Sequence, residues 1–179
     1  SKKPLMEIEM SRQLLIMRHA KSDWGSGISS DFERPLNRRG SEDAPRMGRW
    51  MTTEGLEPDY ILASPAQRAR ETVLAVCAEL ETDESDIHWE PRIYEASVDT
   101  LVELLEAVPA EVTRILMVGH NPGLEGVVQR LSGAGVPLSE NGKGFTTANL
   151  AQLEIPMAGE MLGYQCARLI GVTRPSDLK

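Results

Sequence analysis

Cysteine is scarce in this sequence of 179 residues: Cys77 and Cys166 are the only two, and they form neither a CxxC pair nor a zinc-ligand spacing. A disulfide framework is therefore excluded, and each thiol reads as a small buried hydrophobe of a reducing compartment, which makes the cytoplasm the expected location. No stretch approaches the ~20 apolar residues of a membrane span, and residues 1–12 lack the apolar segment of a secretory signal, so no membrane association is expected. Those twelve residues read as a poorly ordered N-terminal arm. Excess positive charge is missing too: 19 Lys and Arg stand against 27 Asp and Glu, a formal net charge of −8. That balance argues against general nucleic-acid binding while leaving room for a local basic pocket. There is no internal repeat and no interdomain linker, so residues 13–179 are expected to form one domain, long enough to bury roughly two-thirds of its unfolded surface.

The apolar run Leu14-Leu15-Ile16-Met17 leads directly into Arg18-His19. Its length and flanks predict a central strand buried on both faces. A Gly- and Ser-rich loop comes next over 22–35, with Trp24 and Phe32 as apolar anchors. Asn37 is placed to cap a helix over 38–53, with Ala44, Met47 and Met51 facing inward, Glu42 pairing with Arg46, and Gly55 ending it. Residues 60–63 make a second strand. Ser64-Pro65-Ala66-Gln67 then reads as a helix start, with Ser64 at the cap, Pro65 first and Gln67 completing a capping box, the helix running to about Leu80.

A third strand is expected over 87–93, a helix over 99–107, a fourth strand over 114–118, and a helix capped by Asn121 with Pro122 as its first residue. Two last strands over 148–155 and 165–172, joined by a turn near Ala158-Gly159, suit a hairpin with one member antiparallel to the rest. Strand and helix alternating four times predict a three-layer α/β/α sandwich around a mostly parallel sheet.

Ligands of such sheets bind beyond the carboxyl ends of the strands. The first strand ends in Arg18 and His19, the second leads to Arg68, and the fourth ends in His120 at a helix start. Arg presents a planar fork of donors suited to phosphoryl oxygens, a neutral His can attack phosphorus, and a second His can donate to an equatorial oxygen. The three strand ends together describe a phosphate pocket. No residues show metal-ligand spacing, so no cofactor or metal is expected. The Gly-rich stretch 135–144 lacks the GxxxxGK[ST] spacing of a nucleotide loop.

Arg18-His19-Ala20, Ser64-Pro65-Ala66-Gln67-Arg68-Ala69 and Gly119-His120 resemble, in order and at matching strand ends, the histidine phosphatase superfamily, also called the phosphoglycerate mutase-like fold. Within it the chain looks most like the small SixA-type phosphohistidine phosphatases. That closer likeness rests on Arg34-Pro35-Leu36-Asn37-Arg38-Arg39-Gly40 and Phe145-Thr146-Thr147-Ala148, and on the lack of long insertions over the site.

The resemblance implies His19 as phosphorylated nucleophile, with Arg18, Arg68 and His120 holding the phosphate. Acid-phosphatase members carry Asp directly after the second His, where this chain has Asn121, which cannot act as an acid. Glu95 resembles the acid position of the mutase-like branch. A phosphohistidine leaving group titrates near neutral pH and can depart without an acid, whereas an alkoxide cannot.

Three functions are consistent with these residues. The first is a phosphatase acting on a phosphohistidine protein. The second is a small-molecule phosphate monoesterase with Glu95 as acid. The third is a non-catalytic phosphoprotein-binding domain, against which an intact His19 speaks. Asp31 and Arg34 read as a loop salt bridge, and His88 as an edge-strand residue.

Overall fold

The computed structural model describes residues 11–157 and 161–179. Strand β1 (Arg12–Arg18) starts one residue earlier than its apolar pattern suggests and has Leu14 to Met17 wholly buried. It lies inside a six-stranded sheet of order β3-β2-β4-β1-β5-β6, formed with β2 (Tyr60–Ala63), β3 (Ile87–Trp89), β4 (Arg114–Gly119), β5 (Leu150–Ile155) and β6 (Arg168–Thr173). β1 pairs parallel with β4, and antiparallel with β5, which pairs antiparallel with β6. The sheet is thus mostly parallel with one reversed strand.

Alternation along β1 and β4 explains why the middle of each is continuously apolar. Leu15, Met17, Leu116 and Val118 face one core, closed by α1 (Arg38–Thr53) and α2 (Gln67–Leu80). Leu14, Ile16, Ile115 and Met117 face the other, closed by α3 (Val98–Glu106) and α4 (Gly123–Ser132). Each such side chain contributes about 1.5–3 kcal/mol by leaving water. No described helix is long and apolar enough to cross a membrane.

Several local expectations need correction. β3 stops at Trp89, because Pro91 has no N–H for the ladder and opens a 3-10 turn over Pro91–Ile93. α2 begins at Gln67 without a side-chain cap, so Ser64 is not its N-cap. α4 begins at Gly123, after a cis Asn121–Pro122 bond, with the Asn121 Oδ1 accepting from Glu125 N. β5 and β6 begin two and three residues late, since Ala148 (φ 59°) and Gln165 (φ 57°) sit in the left-handed region and cannot extend the strands.

Arg46 pairs with Asp43 at 2.8 Å rather than with Glu42, because the buried Asp43 carboxylate needs cations; Glu42 pairs with Arg38. Trp24 is 60% exposed and is no core anchor, its ring lying under the Arg34 guanidinium, whereas Phe32 packs edge-on against Tyr94. The cap by Asn37, the stop at Gly55 and the exposed edge position of His88 are as expected. The turn near Ala158-Gly159 and all but the last two residues of the N-terminal arm lie outside the described residues.

Candidate active site

The end of β1 is tied from three sides. His19 N donates to Gly119 O of β4, Ala148 N donates to the carbonyls of Arg18 and His19, and Ala20 N donates to Thr72 Oγ1 at 2.9 Å. Thr72, one turn beyond Arg68 on α2, donates from the same hydroxyl to Arg68 O at 2.7 Å. The backbones carrying His19 and Arg68 are therefore joined through one hydroxyl.

The His19 ring is 6% exposed, and its Nδ1 lies 2.7 Å from Ala20 O. A carbonyl only accepts, so Nδ1 carries the hydrogen and Nε2 keeps its lone pair. Arg68 Nε donates to that Nε2 at 3.3 Å. Burial pushes the His19 pKa from 6.5 down to about 3; the Ala20 bond opposes this, while His120, Arg68 and Arg18 reinforce it. At neutral pH the ring is uncharged.

Arg68, itself buried, also donates from NH1 to Asp31 O at 2.7 Å and from NH2 to Asp31 Oδ2 at 2.9 Å. Asp31 Oδ2 accepts in addition from Tyr94 OH at 2.7 Å, and Oδ1 accepts from Arg34 Nε at 3.0 Å. The Tyr94 hydrogen bond, then Arg68 and Arg34, hold the Asp31 carboxyl at about 2 against the opposing effect of burial. The expected Asp31–Arg34 salt bridge is present, and it also braces Arg68.

His120 stands with its ring centroid 5.2 Å from that of His19. Its Nε2 is 2.7 Å from Ser64 Oγ, and Ser64 Oγ accepts from Ala66 N. With one lone pair engaged by Ala66, the Ser64 hydroxyl can give its hydrogen to His120 Nε2, which leaves the hydrogen of a neutral ring on Nδ1. Burial first, then the charge of Arg68, lowers the His120 pKa to about 4, with Asp31 opposing.

Arg18 donates from NH1 to Phe145 O at 3.2 Å, and Asn121 Nδ2 donates to the same carbonyl at 2.7 Å. Arg18 Nε and His120 Nδ1 are buried without a partner among the described residues. These orphaned nitrogens, one of a guanidinium and one of a neutral imidazole, fit an oxyanion, since a buried donor left unpaired costs about 1–3 kcal/mol.

Asp31, Arg68, Tyr94, Glu95 and His120 line one cavity of about 360 Å³. Arg18, His19, Arg68 and His120 thus come together as the strand-end reading requires, and Glu95 stands exposed on the wall. Ser64, Thr72 and Tyr94 were not singled out for the site by sequence reasoning. Thr72 had a usable signal in its i,i+4 spacing from Arg68, which puts both on one helix face.

Replacing Ser64 with alanine should lower kcat about 10-fold or more by releasing the His120 tautomer, with a smaller change in KM. Steady-state kinetics of the variant beside its melting curve separates this from misfolding. Stability should also follow pH. Both imidazoles have folded pKa values, about 3 and about 4, below the ordinary 6.5, so between pH 6.5 and about 4 the unfolded chain binds more protons. Their neutral-form stability is full above pH 6.5 and is lost as pH falls through that window. Urea midpoints at pH 7.5, 6 and 4.5 should decline in that order.

A family model of the histidine phosphatase superfamily (branch 1) matches residues 14–116, a span that holds Arg18, His19 and Arg68 and stops just short of His120. An uncharacterized chloroplastic protein of Arabidopsis thaliana is 33% identical over 72% of this chain, which spans 63% of that relative. An uncharacterized protein of Mycobacterium tuberculosis is 34% identical over 165 residues, 89% of this chain and 99% of the relative. A solved structure described as the protein histidine phosphatase SixA complexed with tungstate superposes with a TM-score of 0.76 at 26% identity, covering 93% of this chain and 99% of the other. The sheet order, the strand-end residues and these likenesses agree, and the chain belongs to the histidine phosphatase superfamily, branch 1.

Proposed function

We propose that the protein is a phosphohistidine phosphatase that works through a phosphorylated His19. The observation that carries this reading is the Nδ1–H bond of His19 to Ala20 O, which leaves Nε2 as an unprotonated nucleophile. The orphaned Arg18 Nε and His120 Nδ1 support it as donors for phosphoryl oxygens. A similar protein, SixA, has been solved with tungstate, an oxyanion of comparable shape.

In the first step Nε2 attacks phosphorus in line, the new N–P bond forms as the substrate P–N bond breaks, and the substrate imidazole leaves with the bond's electron pair. Phosphorylated His19 is an imidazolium whose Nδ1–H stays on Ala20 O. Water then attacks phosphorus, the P–N bond breaks as His19 recovers its lone pair, and both protons of water remain on the released dihydrogen phosphate. Arg18 and Arg68 hold the equatorial oxygens in both steps, and neutral His120 donates to one of them.

Asn121 takes no proton in this scheme. Its amide hydrogen fixes the Phe145 carbonyl that also holds Arg18, a task that an ionised Asp could not perform. Among the described residues no group of three His, Cys, Asp or Glu side chains is placed to hold a metal ion.

Turnover of a phosphohistidine peptide, phosphoimidazole and a panel of phosphate monoesters tests the proposal. A phosphohistidine peptide should be hydrolysed at least about 10-fold more efficiently than any alkyl monoester, since a departing imidazole needs no acid and an alkoxide does. Equal efficiencies would favour a monoesterase in which Glu95, on the cavity wall, is the acid. Absence of turnover on every substrate would favour a binding domain.

A further inference from the structure

Phosphoryl transfer from one imidazole to another is chemically symmetric, yet the described contacts of the site serve only one of the two rings. The His19 ring becomes an imidazolium when it accepts the phosphoryl group, and Ala20 O, 2.7 Å from Nδ1, is in place to hold that charge. The substrate ring runs the reverse course. It arrives as a phosphorylated imidazolium and leaves as neutral imidazole only if its distal nitrogen keeps its hydrogen, and a protein acceptor would hold that hydrogen as Ala20 O holds the one on His19.

Two carboxylates line the cavity, Asp31 and Glu95. Both oxygens of Asp31 are taken: Oδ1 by Arg34, Oδ2 by Arg68 and Tyr94. Asn121, beside them, has Nδ2 on Phe145 O and Oδ1 on Glu125 N. Glu95 makes no hydrogen bond or ion pair among the described residues, and its backbone is held at φ 56°, a left-handed conformation that costs a non-glycine residue about 1–2 kcal/mol.

We infer that Glu95 is the acceptor that completes this symmetry: its carboxylate takes a hydrogen bond from the distal N–H of the substrate imidazole, and it does not deliver a proton to the leaving atom. The inference rests on the phosphohistidine reading above and specifies its substrate as the ring-protonated form. The balance is simple. The P–N electron pair stays with the departing ring, the distal proton never leaves it, and Glu95 ends the step unchanged. Uncommitted before substrate arrives, Glu95 selects for a leaving group that carries an N–H beyond the scissile bond.

The test compares the full chain with Glu95→Gln and Glu95→Ala on two probes, phosphoimidazole and its distally N-methylated analogue, which has no N–H to offer. A glutamine carbonyl still accepts, so kcat/KM on phosphoimidazole should fall less than about 5-fold in Glu95→Gln and about 20- to 100-fold in Glu95→Ala. On the methylated probe all three proteins should agree within about 2-fold. Equal damage from both variants on phosphoimidazole would identify a proton donor instead and overturn the inference. So would no damage from either, or equal sensitivity of the methylated probe. Failure of the unmodified protein to turn over phosphoimidazole or a phosphohistidine peptide would be a different result, removing the phosphohistidine reading and this inference with it.

Discussion

Replacing His19 with asparagine should reduce turnover of a phosphohistidine peptide by at least about 10⁴-fold and abolish the base-stable, acid-labile phosphoenzyme. The loss is of this size because the other imidazole, the phenol and the Asp31 carboxylate of the pocket are engaged, while the exposed Glu95 carboxylate would form an acyl phosphate, which base destroys. The Nε2 of His120 is engaged by Ser64 Oγ. Tyr94 is held protonated, with its pKa pushed up to about 12 by burial and by the hydrogen bond and negative charge of Asp31. The Asp31 oxygens are committed to Arg34, Arg68 and Tyr94.

Asparagine is the informative substitution, since its amide can still donate to Ala20 O while offering no lone pair to phosphorus. Acid-free quench of a radiolabelled reaction followed by gel analysis reads the phosphoenzyme directly. Residual turnover above about 1% with a persisting label would place the nucleophile elsewhere. The same variant should hold its urea midpoint better at pH 4.5 than the parent does, because one of the two imidazoles kept neutral by burial has gone.

Gly40→Ala should lower stability by about 3 kcal/mol or more, which for a domain of this size is a melting temperature lower by roughly 6–12 °C. A Cβ on Gly40 would lie 2.1 Å from Lys21 O and 2.9 Å from Lys21 N. Neither atom can step aside, because Lys21 O already accepts from Asn37 N. Asn37 in turn caps Gly40 N at 2.9 Å and donates to Asp23 Oδ2 at 2.8 Å, while Leu36 bridges Ser22 and Arg34 reaches Ser22 Oγ.

Residues 34–40 are thus a clamp on Lys21, Ser22 and Asp23, just after His19, which gives the SixA-like motif a physical reason. Because the clash falls two residues from His19, activity should drop in the fraction that still folds. Gly25→Ala, whose Cβ would meet only Ile28 at 3.9 Å, is the control and should melt with the parent. A Gly40→Ala protein melting within about 1–2 °C of the parent would show that the helix start can slide.

Much of this was legible in the sequence, for identifiable reasons. Arg18, His19, Arg68 and His120 were legible because each comes soon after a short apolar run, and parallel strands deliver the residues at their carboxyl ends to a common rim. The first helix was legible because Asn37 and Gly55 act locally. The functions of Ser64 and Asn121 were hidden, since a hydroxyl or an amide after a strand looks the same whether it caps a helix or fixes another side chain. Ser64 holds His120 and caps nothing, whereas Asn121 bonds Glu125 N and the Phe145 carbonyl together. Backbone acceptors were wholly illegible: the carbonyls of Ala20, Asp31 and Phe145, which hold His19, Arg68 and Arg18, are present in every residue type. For Arg46 the i,i+4 spacing points to Glu42, and the burial of Asp43, invisible in the spacing, outweighs it.

The reversed strand β5 sits between β1 and β6, and the segment before it supplies both the carbonyl that holds Arg18 and the Ala148 amide that fixes the end of β1. As the chain is made, His19, Arg68 and His120 all emerge before that segment. Until β5 arrives, β1 has one ladder edge unpaired, an invitation to pair with another chain. A nascent chain that has reached only the end of α4 therefore carries the His19 imidazole beside an open sheet edge, and the closing of that edge and the seating of Arg18 happen in the same event. Protection against strand-to-strand aggregation and completion of the candidate site are, in this topology, timed together.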